Sequence, residues 1–124
     1  MNLYWYPKCS TCKKARAWLD AHEIEYQLID MIQQPPTAEK LEGWMKESGL
    51  PIRRFFNTSG VNYRQLGLKT IVPTLNMREA CELLATDGML IKRPILEKNG
   101  KIQAIGFKEI DFEGAAKESW KRNV

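Results

Sequence analysis

The chain has 124 residues, a length that suits one domain and leaves little room for two. A hydrophobic fraction of 44% can build a core without disulfide staples, and three cysteines, an odd number, do not form a disulfide scaffold. The net charge of +4, from 19 basic and 15 acidic residues, is mild; the basic residues are dispersed, with only the doublets Lys13-Lys14, Arg53-Arg54 and Lys92-Arg93, so no direct nucleic-acid footprint is read.

Residues 2–6 are mostly apolar and aromatic and predict a buried strand. They soon meet Pro7, Lys8 and Cys9, so no apolar h-region follows Met1. No later apolar run approaches the ~20 residues of a membrane span. The expectation is a soluble protein of the reducing cytoplasm. After the turn, Ala15, Trp18 and Leu19 recur at helical spacing, which predicts a helix over 10–22. Residues 25–30 partly alternate and read as a second strand, completing a βαβ unit whose strands should be parallel.

The middle of the chain reads as a helical block. Thr37 is the candidate N-cap of a helix carrying Leu41, Trp44 and Met45 and stopped near Ser48-Gly49. Residues 51–56 predict a short helical turn, and 57–60 a loop. Tyr63 and Leu66, one turn apart, predict a short helix ended by Gly67. Thr74 is taken as the cap of a further helix with Met77, Ala80, Cys81 and Leu84, ending before Asp87-Gly88. The last third returns to strands. Residues 95–98 and 101–105 flank Asn99-Gly100, a strong hairpin signal. A closing helix is predicted over 108–120, with Ile110, Phe112, Ala115, Ala116 and Trp120 as apolar positions. The predicted fold is α/β: one domain over 1–124, a mixed sheet of about four strands, with a helical insertion over about 35–87 between βαβ and ββα halves.

Chemistry concentrates in "KCSTCKK". Thiolates, not thiols, act as nucleophiles, and a cysteine at a strand-to-helix turn lies where free N–H groups and the macrodipole favour negative charge. Lys8, Lys13 and Lys14 add positive potential. Cys9 is thus the candidate nucleophile, and Cys12, about one helical turn on, the resolving thiol. The same spacing also makes half a zinc site, but only Cys81 and His22 remain as further ligands and neither belongs to a second close pair. Two ordinary helix thiols are the third reading. Cys81 shares an apolar set with Met77 and Leu84 and reads as a core residue; His22 reads as a surface residue or helix-end cation. Pro94 opens a strand, either as edge punctuation or in a cis peptide.

The segments "CSTCKKARAWLDAHEIEYQLID" and "LLATDGMLIKRPIL", with Gly-Phe before the last helix, resemble the ArsC/Spx family of thioredoxin-like proteins. That group includes glutaredoxin-linked arsenate reductases and the regulator Spx. The resemblance covers nearly the whole chain and implies a thioredoxin-like fold. It implies that Pro94 is a cis-proline facing the redox site, with Arg93 beside it to bind an anion or stabilise a thiolate. Arsenate reductases of the family use three arginines around one cysteine. Here Arg93 matches one, Asn57 stands where the first is expected, and Lys108 lies near the place of the last. One arginine with a lysine is a thin set for an oxyanion. The resemblance therefore implies a thiol-disulfide oxidoreductase rather than an arsenate reductase. Thioredoxin, glutaredoxin or glutathione would be its reductant, with no bound cofactor or metal. The alternative is a redox-sensing regulator that binds the C-terminal domain of the RNA polymerase α-subunit, with Arg53 and Arg54 as candidate contacts. The candidate site comprises Cys9, Cys12 and Arg93, supported by Lys8, Ser10, Thr11, Lys13, Pro94 and Lys108.

Overall fold

The computed structural model describes residues 1–122, with side chains through Lys117, so the Trp120 side chain lies outside the described residues. The chain forms two compact units: residues 1–29 together with the chain from Arg93 onward, and Asp30–Lys92.

The first unit is built on a mixed four-stranded sheet of order β2-β1-β3-β4. Strand β1 (Asn2–Trp5) lies inside the sheet, and both Leu3 and Tyr4 are buried, as suits a strand covered on both faces. It pairs antiparallel with β3 (Ile95–Lys98), placing Asn2 opposite Glu97 and Tyr4 opposite Ile95. Strand β3 returns as β4 (Lys101–Ile105) through Asn99 and Gly100, at φ 54° and 77°. Two successive positive-φ residues are what a two-residue hairpin of this hand demands. Strand β2 (Gln27–Asp30) starts later than the predicted residue 25 and forms an edge, leaving Leu28 37% exposed.

Helix α1 (Ser10–Ala21) buries Ala15, Trp18 and Leu19. Helix α6 (Glu109–Arg122) buries Phe112, Ala115 and Ala116 in the same core, with Leu3, Leu96 and Ala104. Phe112 sits edge-on to Trp18 at 5.7 Å and to Phe107 at 5.0 Å. Each fully buried Leu or Phe contributes about 1.5–3 kcal/mol. Ile110, predicted on this apolar face, is 73% exposed. At ~100° per residue it points about 200° away from Phe112.

In the second unit, Thr37 caps α2 (Ala38–Ser48) as expected: its Oγ1 accepts the Lys40 N–H at 3.1 Å. The helix ends on Gly49 at φ 66°. Leu41, Trp44 and Met45 are buried where α2 packs on α5 (Met77–Ala85), which buries Ala80, Cys81 and Leu84. A 3-10 turn (Ile52–Phe55), α3 (Val61–Gln65), α4 (Leu68–Ile71) and a second 3-10 turn (Val72–Thr74) connect them. Leu66 is 55% exposed, because so short a helix buries only Tyr63.

Asn76, not Thr74, caps α5. Asn76 Oδ1 accepts the Glu79 N–H at 2.8 Å while Glu79 Oε1 accepts the Asn76 N–H at 2.9 Å. Thr74 instead closes the 3-10 turn, donating its hydroxyl to Ile71 O at 2.6 Å. Only Asn76 has a glutamate three residues on, so only Asn76 can form the reciprocal pair. A third 3-10 turn, Gly88–Leu90, packs so closely that a Cβ on Gly88 would lie 2.0 Å from the Met31 carbonyl oxygen. Among the described residues, no helix is long and apolar enough to cross a membrane.

Candidate functional site

The turn from β1 into α1 is closed by the Cys9 N–H, which donates to Tyr6 O at 3.0 Å. Cys9 is the N-cap of α1, in extended backbone at φ −92° and ψ 119°. An N-cap side chain satisfies one of the helix's unpaired amides. Here a sulfur does so: Cys9 Sγ accepts the Cys12 N–H at 3.4 Å. The one-turn spacing read from the sequence thus places the first thiol on the helix N-terminus and the second inside it, where Cys12 is fully buried.

The two thiols differ in acidity. Partial burial pushes Cys9 up. The Cys12 thiol and main-chain N–H, which hydrogen-bond to it, and the Arg93 guanidinium outweigh that and bring it below the ordinary thiol value. Cys12 is pushed up to about 12, first by burial, then by its hydrogen bond to Cys9; the Cys9 charge adds to this, while the Tyr6 main chain and Arg93 offset part of it. The lysines expected to acidify Cys9 are exposed, and the strongest lowering influences come from Cys12 and Arg93 instead. Water and salt screen exposed charges, whereas a half-buried guanidinium beside the sulfur keeps its effect.

Arg93 precedes Pro94 through a cis peptide, and Pro94 is buried. The Pro94 carbonyl accepts the Gly106 N–H at 2.8 Å, tying this segment to the end of β4. The Arg93 guanidinium carbon stands 5.3 Å from the centre of the Tyr6 ring. Sequence reasoning did not single out Tyr6. Its partner lies far along the chain, and the only local signal is an aromatic residue entering the cysteine turn.

Cys9, Cys12, Arg93 and Pro94 therefore belong to one unit, with Cys9, Cys12 and Arg93 in mutual electrostatic contact. Lys8, Ser10, Thr11 and Lys13 are exposed around the turn. Lys108 is exposed as well, and its carbonyl accepts the N–H groups of Asp111 and Phe112 at the start of α6. Asn57 serves its own loop: its N–H donates to Leu90 O at 2.7 Å and its carbonyl accepts the Gly60 N–H at 3.0 Å.

The remaining zinc-type ligands are engaged elsewhere. His22 stacks on Trp18 with centroids 3.8 Å apart, and its Nδ1 lies 2.8 Å from Trp18 O. Cys81 is buried in the second unit with its sulfur 3.5 Å from Met45 Sδ. Burial and the Glu42 charge push its thiol up to about 11. Among the described residues, no three His, Cys, Asp or Glu side chains are grouped to hold a metal ion.

Comparison with known proteins gives a consistent result. The model of the ArsC family matches residues 4–115. YusI of Bacillus subtilis (strain 168) is 47% identical over 97% of this chain and 98% of its own length. The regulatory protein MgsR of the same organism is 33% identical over 86% and 82%. The global transcriptional regulator Spx of Lactiplantibacillus plantarum is 27% identical over 86% and 79%. Among solved structures, a "possible arsenate reductase" from Streptococcus mutans UA159 superposes with a TM-score of 0.84 at 51% identity, covering 86% of this chain and 90% of that one. The fold is the thioredoxin-like α/β arrangement of these neighbours.

Proposed function

Because the chain belongs to the ArsC family, we propose that it is a thiol-disulfide oxidoreductase with Cys9 as nucleophile and Cys12 as resolving thiol. The observation that carries this reading is the opposed acidity of two thiols one helical turn apart, Cys9 lowered and Cys12 raised to about 12. A nucleophile has to be ionised, and a resolving thiol has to wait.

The Cys9 thiolate attacks one sulfur of a substrate disulfide. The S–S bond breaks, its electron pair leaves on the other sulfur as a thiolate, and a mixed disulfide forms at Cys9. Two of the influences that hold the proton on Cys12 come from Cys9, namely its hydrogen bond and its charge. Both end once the Cys9 sulfur is in a mixed disulfide. Cys12 then gives its proton to the departing thiolate or to water and attacks Cys9 Sγ. The second substrate thiolate leaves, and the protein holds a Cys9–Cys12 disulfide. The substrate has gained two electrons and the cysteine pair has lost them. Thioredoxin, glutaredoxin or glutathione returns them. Arg93 balances the charge of the Cys9 thiolate before its attack and of Cys12 when it loses its proton. This chemistry belongs to the reducing cytoplasm, where free thiols persist. Arsenate is a poor substrate in this reading, since the sequence positions at which the resemblance expects arginines hold Asn57 and, near the last of them, Lys108.

A second reading is favoured by the relatives MgsR and Spx, which are named as regulators. There the same disulfide would alter a surface that contacts the C-terminal domain of the RNA polymerase α-subunit, with Arg53 and Arg54 exposed on the turn Ile52–Phe55. The deciding experiment measures NADPH-coupled reduction of a low-molecular-weight disulfide with thioredoxin or glutaredoxin systems. Turnover is expected for wild type and is lost in Cys9→Ser, while Cys12→Ser accumulates the mixed disulfide by mass spectrometry. No turnover and no trapped adduct, together with redox-dependent binding of the α-subunit domain, overturns the enzyme reading in favour of the second.

A further inference from the structure

Tyr6 touches all three groups of the site. Its carbonyl accepts the Cys9 N–H at 3.0 Å, its main chain hydrogen-bonds the Cys12 sulfur, and its ring lies against the Arg93 guanidinium at 5.3 Å. The last contact is within cation–π range. Arg93 arrives from a distant part of the chain on a long, rotatable stem. A guanidinium that swings into solvent is screened, and one held beside the sulfur is not. The turn itself therefore supplies a flat face on which that cation rests.

We propose that Tyr6 is a positioning residue of the redox site, whose ring seats the Arg93 guanidinium beside the Cys9 sulfur. The proposal rests on Cys9 being the nucleophile, but it concerns a geometry that the thiol reports without any substrate. A built-in comparison exists one residue earlier. Arg16 lies over the Trp5 ring at 5.0 Å, a similar pair, yet Arg16 is exposed and is not among the leading influences on either cysteine.

The test follows the alkylation rate of Cys9 by iodoacetamide against pH in the reduced full-length protein. Tyr6→Leu is expected to move the midpoint of the profile upward and to slow labelling at pH 7 by about two- to five-fold, the factor that an exposed cation–π contact amounts to. Tyr6→Gln gives the same readout should leucine disturb folding. Tyr6→Phe, which keeps the ring, retains the wild-type profile, and Arg16→Ala leaves it unmoved. In an Arg93→Ala background, Tyr6→Leu should add nothing, because the cation it seats is gone. A merely structural role would produce the same shift with and without Arg93. The proposal is overturned by an unmoved profile in Tyr6→Leu and Tyr6→Gln, or by an undiminished effect in the Arg93→Ala background. Because no substrate enters, lost turnover with an intact thiol profile refutes the oxidoreductase reading alone, and an unmoved profile refutes the seat alone.

Discussion

Limiting iodoacetamide applied to the native, reduced protein at pH 7 should label Cys9 and spare Cys12. The expected ratio follows from the two acidities. Cys12, at about 12, is ionised to only about one part in 10⁵ at that pH, whereas Cys9, below 9.0, is ionised to at least about one part in 10². Ionisation alone thus favours Cys9 by at least about 10³. A thiolate of higher pKa is intrinsically more nucleophilic, and a Brønsted slope of about 0.4–0.5 returns a factor of about 15–30 to Cys12. The net preference is at least about 30-fold before access is counted, and the fully buried Cys12 sulfur adds to it. Cys81, pushed up to about 11 and also buried, should label slowly as well. Quenched time points with peptide mass spectrometry resolve all three cysteines in one sample. In denaturant they should react within a few-fold of one another. Native rates for Cys9 and Cys12 within a factor of about ten would refute the reasoning, since neither the helix cap nor Arg93 would then distinguish the two sulfurs.

Two further outcomes concern stability. Gly88→Ala places a Cβ 2.0 Å from the Met31 carbonyl oxygen, a backbone atom that cannot swing aside. It should cost about 3 kcal/mol or more and lower Tm by about 10 °C, whereas Gly43→Ala, inside α2 with open space around it, should stabilise by about 0.5–1 kcal/mol; equal melting temperatures by calorimetry contradict both. Stability should also fall as pH rises from about 9 to about 11–12, because Cys12 and Cys81 keep their protons in the folded chain after unfolded thiols have lost theirs. The lowered Cys9 acts with the opposite sign at lower pH, adding stability as pH climbs from its folded value to about 9. Urea midpoints across this range in Cys81→Ala should show a shallower alkaline decline, and an unchanged slope would contradict the assignment.

Local signals carried most of the fold. Thr37 and Gly49 bracket α2, and Asn99-Gly100 turns the hairpin, because caps and tight turns are decided by a few adjacent residues. The cysteine turn was legible for the same reason: a strand, a proline and a helical spacing follow one another within a dozen residues. Thr74 was misread although the clue was present, since Asn76 has Glu79 at the reciprocal position and Thr74 has Met77. What sequence could not supply was distance. That Arg93 acts on Cys9, and that Tyr6 meets Arg93, depends on pairing between strands from the two ends of the first unit. Ile110 and Leu66 show the other limit. An apolar residue near a helical face is not on it until the phase of the helix is fixed, and in a helix as short as α3 there is hardly a face to join.

The register of β1 against β3, which sets Asn2 beside Glu97, has a meaning for the chain while it is being made. The cysteines emerge from the ribosome early, yet the strand that follows Arg93 is translated more than eighty residues after them. Until then Cys9 has its helix cap but not its counter-cation, and β1 has an unfilled edge where β3 will pair. Contacts this far apart in sequence form late, after the cost of closing a long loop. A nascent or truncated chain would thus carry a Cys9 activated by its helix cap alone. The share of Cys9 reactivity that comes from Arg93 is acquired only on completion of the sheet, so the full labelling rate of Cys9 doubles as a report of folding to the last strands.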